Sequence, residues 1–437
     1  MRTASPRHAL VPKVRFVTVG KFMIDVKTRE KIFRRIDLMR GEMVELQLRL
    51  TGIPALSPDY QGAGEAEKAD FLENYLRKSG FDNILKINAP DERVPSGYRP
   101  NLLVTCPGRN PARKLWILTH TDIVPPGEPG LWKTDPYQGY VENDRIYGRG
   151  TEDNQQDLVA SIFAAKAFLE ENELPESSIG LAFVADEETS SRCGLFHVLR
   201  HPENPLRKND LIVVPDSGEP DGSAIEIAEK SMLWLRFVTT GRQCHGSRPS
   251  LGSNALLAAS NFIVALQSLH QTFPTLDRLY NPPESTFQPT RKESNAASIN
   301  TIPGEDVFYF DCRILPIYDL DEVMAEIERI AETIAKRFHV RIDITPVQQV
   351  QAPVPTPESA LVVQALKEAI RDVYRVEGRA VGVGAGTVAA ALRSHGYEAA
   401  VWSKINYMAH QPNEYCLIDN MVGNAKVFAH MMLQDPG

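Results

Sequence analysis

Three short apolar runs in this chain end in side chains able to bind a metal ion or move a proton. Leu115–Thr119 runs into His120-Thr121-Asp122, Gly180–Ala185 into Asp186-Glu187-Glu188, and Leu211–Val214 into Pro215-Asp216. One acid in such a place is often a helix cap or a solvated loop. Three in succession, one a His-x-Asp, are hard to explain as loop polarity. His120 with Asp122 suits a metal-bound imidazole whose other N–H is held by a carboxylate. A histidine bonded to a neighbouring loop acid would look the same. Asp153, in GRGTEDNQQ (148–156), follows a Gly-x-Gly and precedes a helix, and alone it reads as an N-cap. Glu187 and Glu188 are adjacent, so in extended chain they point to opposite sides, which separates one ligand from one free base. His410, in AHQPNEY (409–415), follows a fourth apolar run at Ala399–Trp402. Two histidines and three carboxylates form a mixed nitrogen–oxygen set suited to two zinc-like ions sharing one bridging carboxylate.

Short buried strands alternating with helices must position these groups. Helical spacing runs from about Lys27 to Leu50 and over Ala69–Lys78, and Asp157–Glu171 reads as an amphipathic helix. With the apolar runs between them, this predicts an α/β fold with a mostly parallel sheet and helices on both faces. Ligands in such sheets bind beyond the carboxyl ends of the strands, where the candidate residues lie.

After residue 227 the pattern changes. Met232–Thr239 alternates, Asn254–Leu269 is helical, and Ala296–Asn300 and Val307–Arg313 flank a turn at Pro303-Gly304. Leu320–Phe338 is helical and Val340–Thr345 extended, completing the β-α-β-β-α-β order of a ferredoxin-like α+β unit. Pro353, Pro355 and Pro357 mark the exit. The expected domains are a discontinuous metal-binding catalytic domain (23–227 and 349–437) and an insert at 228–348. Residues 1–22 are read as a tail, either disordered or lying ahead of a true start at Met23. GVGAGT (382–387) opens a helix as a phosphate-binding loop would, but Thr387 occupies the place of the third glycine. A helix N-terminus holding a substrate carboxylate is the simpler account.

The chain has 437 residues, with 48 Lys and Arg against 56 Asp and Glu, for a formal charge of −8, so general attraction to nucleic acid or anionic lipid is not expected. No apolar stretch approaches the roughly 18 residues of a membrane span. Five scattered cysteines without a CxxC pair exclude a disulfide framework and a cysteine zinc site, and fit a reducing cytoplasm.

Taken together, HTD (120–122), GRGTEDN (148–154), ADEE (185–188), PDSG (215–218), CHGSRP (244–249) and AHQPNEY (409–415) resemble the dinuclear zinc amidohydrolases and metallopeptidases. That family includes acetylornithine deacetylase, succinyl-diaminopimelate desuccinylase, aminoacylase and glutamate carboxypeptidase. The motifs keep the family's order from about residue 30 to the end. The resemblance implies a zinc-peptidase-like catalytic domain with an inserted lid that forms a homodimer. It implies two Zn²⁺, with Co²⁺ or Mn²⁺ as substitutes: His120 and Asp216 on one ion, Glu188 and His410 on the other, and Asp153 bridging. Glu187 becomes the general base, Asp122 the orienter of His120, and His245 the lid histidine that reaches the partner subunit's site. Asn300, Arg313, Gly386, Thr387 and Asn406 look like substrate-carboxylate positions, with Lys230 a weaker match. The implied reaction is hydrolysis of an amide in a small N-acyl amino acid, or in a short peptide.

Overall fold

The structure, a computed structural model, describes residues 16–19, 22–384 and 386–435. The tail assigned to residues 1–22 lies mostly outside them, although Phe16–Val19 pairs antiparallel with Phe22–Asp25. The chain forms two compact units. The first comprises the residues up to Ile225, Glu358–Arg379, and those from Tyr397 onward; the second comprises Glu226–Pro357 and Ala380–Gly396. Where the sequence reading set the insert at 228–348, the second unit thus also takes in the glycine-rich segment near residue 384.

The first unit is built on a mostly parallel sheet. Ala399–Ser403, Leu211–Gly218, Asn110–His120 and Ser177–Val184 lie side by side and parallel. Tyr98–Cys106 and Ile84–Pro90 continue the sheet antiparallel. The sequence reading did not name these last two strands. The parallel strands are apolar on both sides, as Ser177–Val184 shows by being buried throughout. Helices Gln156–Glu171, Leu361–Tyr374 and Ile418–Met432 pack on the parallel strands, and Ala66–Lys78 on Tyr98–Cys106. Gln156–Glu171 differs from the expected amphipathic helix. It is sandwiched between the sheet and the helices Val26–Leu38, Arg40–Thr51 and Ile418–Met432, so it is buried nearly all round.

In the second unit, the four antiparallel strands run in the order Thr286–Lys292, Glu305–Ile314, Ser231–Thr240, Arg341–Val350. Ala255–Ala265 and Leu320–Phe338 cover one face, where Leu235, Phe237, Phe262, Phe308 and Ile327 form the core. This is the expected β-α-β-β-α-β order with one correction. The second strand is Thr286–Lys292, not Ala296–Asn300. Pro289 lowers the strand signal of that segment, but it sits on an edge strand beside a register shift, where a missing N–H is tolerated. Thr301–Ile302 instead pairs with Cys244–His245.

Candidate metal centre

The four parallel strands bring the candidates to one edge of the sheet. His120 ends its strand, Asp216 lies near the end of the next, and Glu187 and Glu188 follow Ser177–Val184. His410 lies in the loop after Ala399–Ser403, and Asp153 in the segment leading into Gln156–Glu171. Asp153 is therefore no simple N-cap. Its Oδ1 is 3.0 Å from His120 Nε2, and its Oδ2 is 3.1 Å from His410 Nε2. Asp216 Oδ1 lies 3.3 Å from His120 Nε2, and Glu188 Oε2 lies 3.2 Å from His410 Nε2. Two groups result, His120–Asp153–Asp216 and Asp153–Glu188–His410, each with its ligand atoms within 4.8 Å of one another. They share Asp153.

The electrostatics fit cations in both places. Burial works against a charged His120, but Asp122, Asp153 and Asp216 outweigh it and raise its pKa well above the usual value. Asp153 and Glu188 raise His410 to about 10. Each of these histidines thus stands among carboxylates that attract positive charge. Burial, then Asp153, pushes Glu188 up to about 7. Its buried Oε1 has no hydrogen-bond partner among the described residues, as a carboxylate oxygen kept for a metal would not. Burial, with Asp216, Glu188 and Asp122 nearby, pushes Glu187 well above the carboxylate range, and His120 opposes this only partly. Hard oxygen donors with two imidazoles match Zn²⁺, Co²⁺ or Mn²⁺.

Asp122 has a second task that its spacing did not reveal. Its carboxylate lies 3.5 Å from His120 Nδ1 and also accepts the N–H groups of Glu187 (3.1 Å) and Glu188 (3.0 Å). The Asp122 backbone carbonyl accepts a hydrogen bond from His120 Nδ1 at 3.1 Å, and its carboxylate fixes the loop carrying both glutamates.

Several buried charges behind the site were missed in the sequence. Arg99 binds Glu65 (2.9 Å) and Asp186 (2.8 Å), and Asp186, at φ +61°, accepts the Ser190 hydroxyl (2.9 Å) and the Cys193 N–H (3.0 Å). Asp186 is thus the turn anchor of the ADEE motif. Lys68 is fully buried, and burial lowers it to about 8 against the pull of Asp122, Glu65 and Glu414. Glu152 and Glu414 are buried within the motifs that carry Asp153 and His410. Their one available signal was position: acids inside GRGTEDN and AHQPNEY that the ligand set did not need.

The remaining candidates separate. Asn406 lies in the His410 loop, its backbone N–H bonded to Glu152. His245, Asn300, Arg313, Gly386 and Thr387 belong to the second unit. There the short pairing sets His245 opposite Thr301, and the Gly246 N–H donates to the Asn300 carbonyl at 2.6 Å. His245 Nδ1 accepts the Ser247 N–H at 3.1 Å, so the proton of the neutral ring sits on Nε2. The Arg313 fork is occupied by Asp311 (2.8 Å) and the Gly384 carbonyl (2.7 Å). Thr387 is a true N-cap, accepting the Ala389 N–H. Lys230 donates to the Pro282 and Glu284 carbonyls.

The sequence model of Peptidase family M20/M25/M40 matches residues 116–434, most of the chain and all the candidate ligands. The chain belongs to this family. It is a metallohydrolase, as the resemblance implied. A relative described as an uncharacterised metallohydrolase, from Methanococcus maripaludis, is 38% identical over 412 residues, covering 90% of this chain and 98% of its own. A succinyl-diaminopimelate desuccinylase from Alkalilimnicola ehrlichii is 28% identical, covering 67% and 73% respectively. Among solved structures, an aminopeptidase from Bacillus cereus shares the fold with a TM-score of 0.71 at 18% identity, covering 90% of this chain and 98% of its own. No helix among the described residues is long and apolar enough to cross a membrane.

Proposed function

We propose that this metallohydrolase holds two divalent ions, His120 and Asp216 on one, Glu188 and His410 on the other, with Asp153 between. On this reading it cleaves the amide bond of a small N-acyl amino acid beside a carboxylate, as a desuccinylase or deacetylase does. The observation that carries the reading is the sharing of Asp153 by two three-residue groups. Ions held there would supply Lewis acidity for the hydrolysis. Glu187 takes a proton from the attacking water and returns it to the leaving amine. Asp122 keeps Glu187 and His120 in place. His245, with Nδ1 accepting the Ser247 N–H and Nε2 free to donate, would reach the carbonyl oxygen in the partner copy of a homodimer as charge develops. Asn300, Arg313, Gly386, Thr387 and Asn406 are the candidates for holding the substrate carboxylate, in a protein acting in the cytoplasm.

The desuccinylase relative supports the acyl substrate. The alternative is a metallo-dipeptidase or carboxypeptidase, because the same metal-binding side chains serve either acyl group and family membership names no substrate. A panel of N-succinyl and N-acetyl amino acids against dipeptides, on Zn²⁺- or Co²⁺-loaded protein with amine release as the readout, separates the two. Release from the acyl amino acids is expected. Release from dipeptides alone would replace the first reading by the second.

Metal should also stabilise the fold. Asp122, Asp153, Glu187, Glu188 and Asp216 crowd into one cleft, and ions bound only by the folded state offset their repulsion. Free metal at 100-fold its Kd contributes about 2.7 kcal/mol per ion. Chelation should therefore lower the Tm by several degrees, and re-addition should restore it. An unchanged Tm after complete metal removal would argue against the loaded cleft.

A further inference from the structure

Two buried carboxylates of the first unit are absorbed by no step above. Glu414 lies four residues beyond His410 and is 0% exposed; Glu152 immediately precedes Asp153 and is 3% exposed. A buried carboxylate is costly unless donors surround it. Each finds those donors in the other's loop. Glu414 accepts the N–H groups of Gly150 (3.0 Å), Glu152 (2.8 Å) and Asp153 (3.1 Å), together with the Arg149 guanidinium (2.6 Å). Glu152 accepts the N–H groups of Asn406 (2.5 Å), Ala409 (3.2 Å) and Met408.

The backbone of the second loop gives an independent reason for an anion there. Tyr407, His410 and Asn413 all have left-handed φ, at +59°, +63° and +57°. Non-glycine residues avoid this conformation and keep it only where their surroundings over-determine it. Successive N–H groups that converge form a concavity for negative charge, and Glu152 fills it.

We propose that Glu152 and Glu414 are positioning residues forming a reciprocal clasp, which sets the separation of Asp153 and His410 and so the geometry of the second metal position. The crossing matters. The acid beside Asp153 holds the His410 loop, and the acid beyond His410 holds the Asp153 loop, so neither loop shifts alone. The inference rests on the two-metal reading, and the experiment distinguishes failure of one from failure of the other.

Co²⁺ is titrated into the metal-free full chain and into Glu152→Gln and Glu414→Gln, followed by visible absorption and calorimetry. Glutamine keeps the size but turns one acceptor oxygen into an NH₂ facing N–H donors. The parent should bind two Co²⁺, and each variant should bind one of them about 10–100-fold more weakly, the usual loss when a ligand's support is removed. Amide hydrogen exchange on the metal-free parent should show slow exchange at Gly150, Glu152, Asp153, Asn406, Met408 and Ala409. Folded variants that bind both Co²⁺ with parental affinity overturn the clasp. If the variants do not fold, fast exchange at those six amides in the parent overturns it and slow exchange upholds it. A parent that binds fewer than two Co²⁺ sinks the two-metal reading instead, and the exchange result then decides the clasp by itself.

Discussion

Glu187→Gln should lower kcat at least about 10²-fold while metal content and fold stay near those of the parent, the lower range for losing a general base. Glu187 is held by its backbone, whose N–H donates to Asp122, so an amide side chain leaves the loop anchored. Its carboxyl has its pKa pushed well above the ordinary range by burial and by Asp216, Glu188 and Asp122. Divalent ions nearby would oppose that shift and favour the ionised form, which is the one able to accept a proton. Glutamine cannot accept that proton. It also removes one negative charge from the cleft, so metal binding should be unchanged or modestly weaker. The measurements are kcat on a substrate that the parent hydrolyses and metal content after desalting. A kcat within a few-fold of the parent would remove Glu187 from the proton-transfer role, and lost metal would make it a ligand.

The parts of this molecule legible in the sequence were those that repeat a local rule. Apolar runs ending in His120, Glu187-Glu188 and Asp216 gave the strands of the parallel sheet and the edge to which they deliver side chains. Alternation in Met232–Thr239 and the helical spacing of Leu320–Phe338 gave the α+β insert. What was not legible depends on partners distant in the chain. Pro289 obscured Thr286–Lys292, because edge position is a property of the sheet and not of the segment. Ile84–Pro90 and Tyr98–Cys106 pair with each other, and the second of them continues the sheet antiparallel beside Ser177–Val184. Asp122 could be read as a partner of His120 two residues away, but not as the acceptor of two N–H groups 65 and 66 residues away. Likewise Glu65, Lys68 and Arg99 carry no motif. Their meaning comes from burial against Asp122 and Asp186, which only the fold creates.

Asp153→Asn should cost more than any single terminal ligand, because it is the one candidate common to both groups. Its two oxygens face different histidines, at 3.0 Å and 3.1 Å, and asparagine must turn its NH₂ toward one of them. An NH₂ cannot ligate a cation, so one position is lost and the other keeps a ligand but not the negative charge. Metal ions contribute several kcal/mol of charge stabilisation in hydrolysis. Losing about 4 kcal/mol corresponds to about 10³-fold in rate, and at least that fall in kcat/KM is expected. His410→Ala removes the second position alone and should retain one tightly bound ion. The pair then gives a sharper test than either variant. If Asp153 bridges, Asp153→Asn with His410→Ala should be hardly worse than Asp153→Asn alone, since residues acting as a unit are not additive. Full additivity of the two losses, or two tightly held ions in Asp153→Asn, would mean separate sites and would dismiss the shared carboxylate.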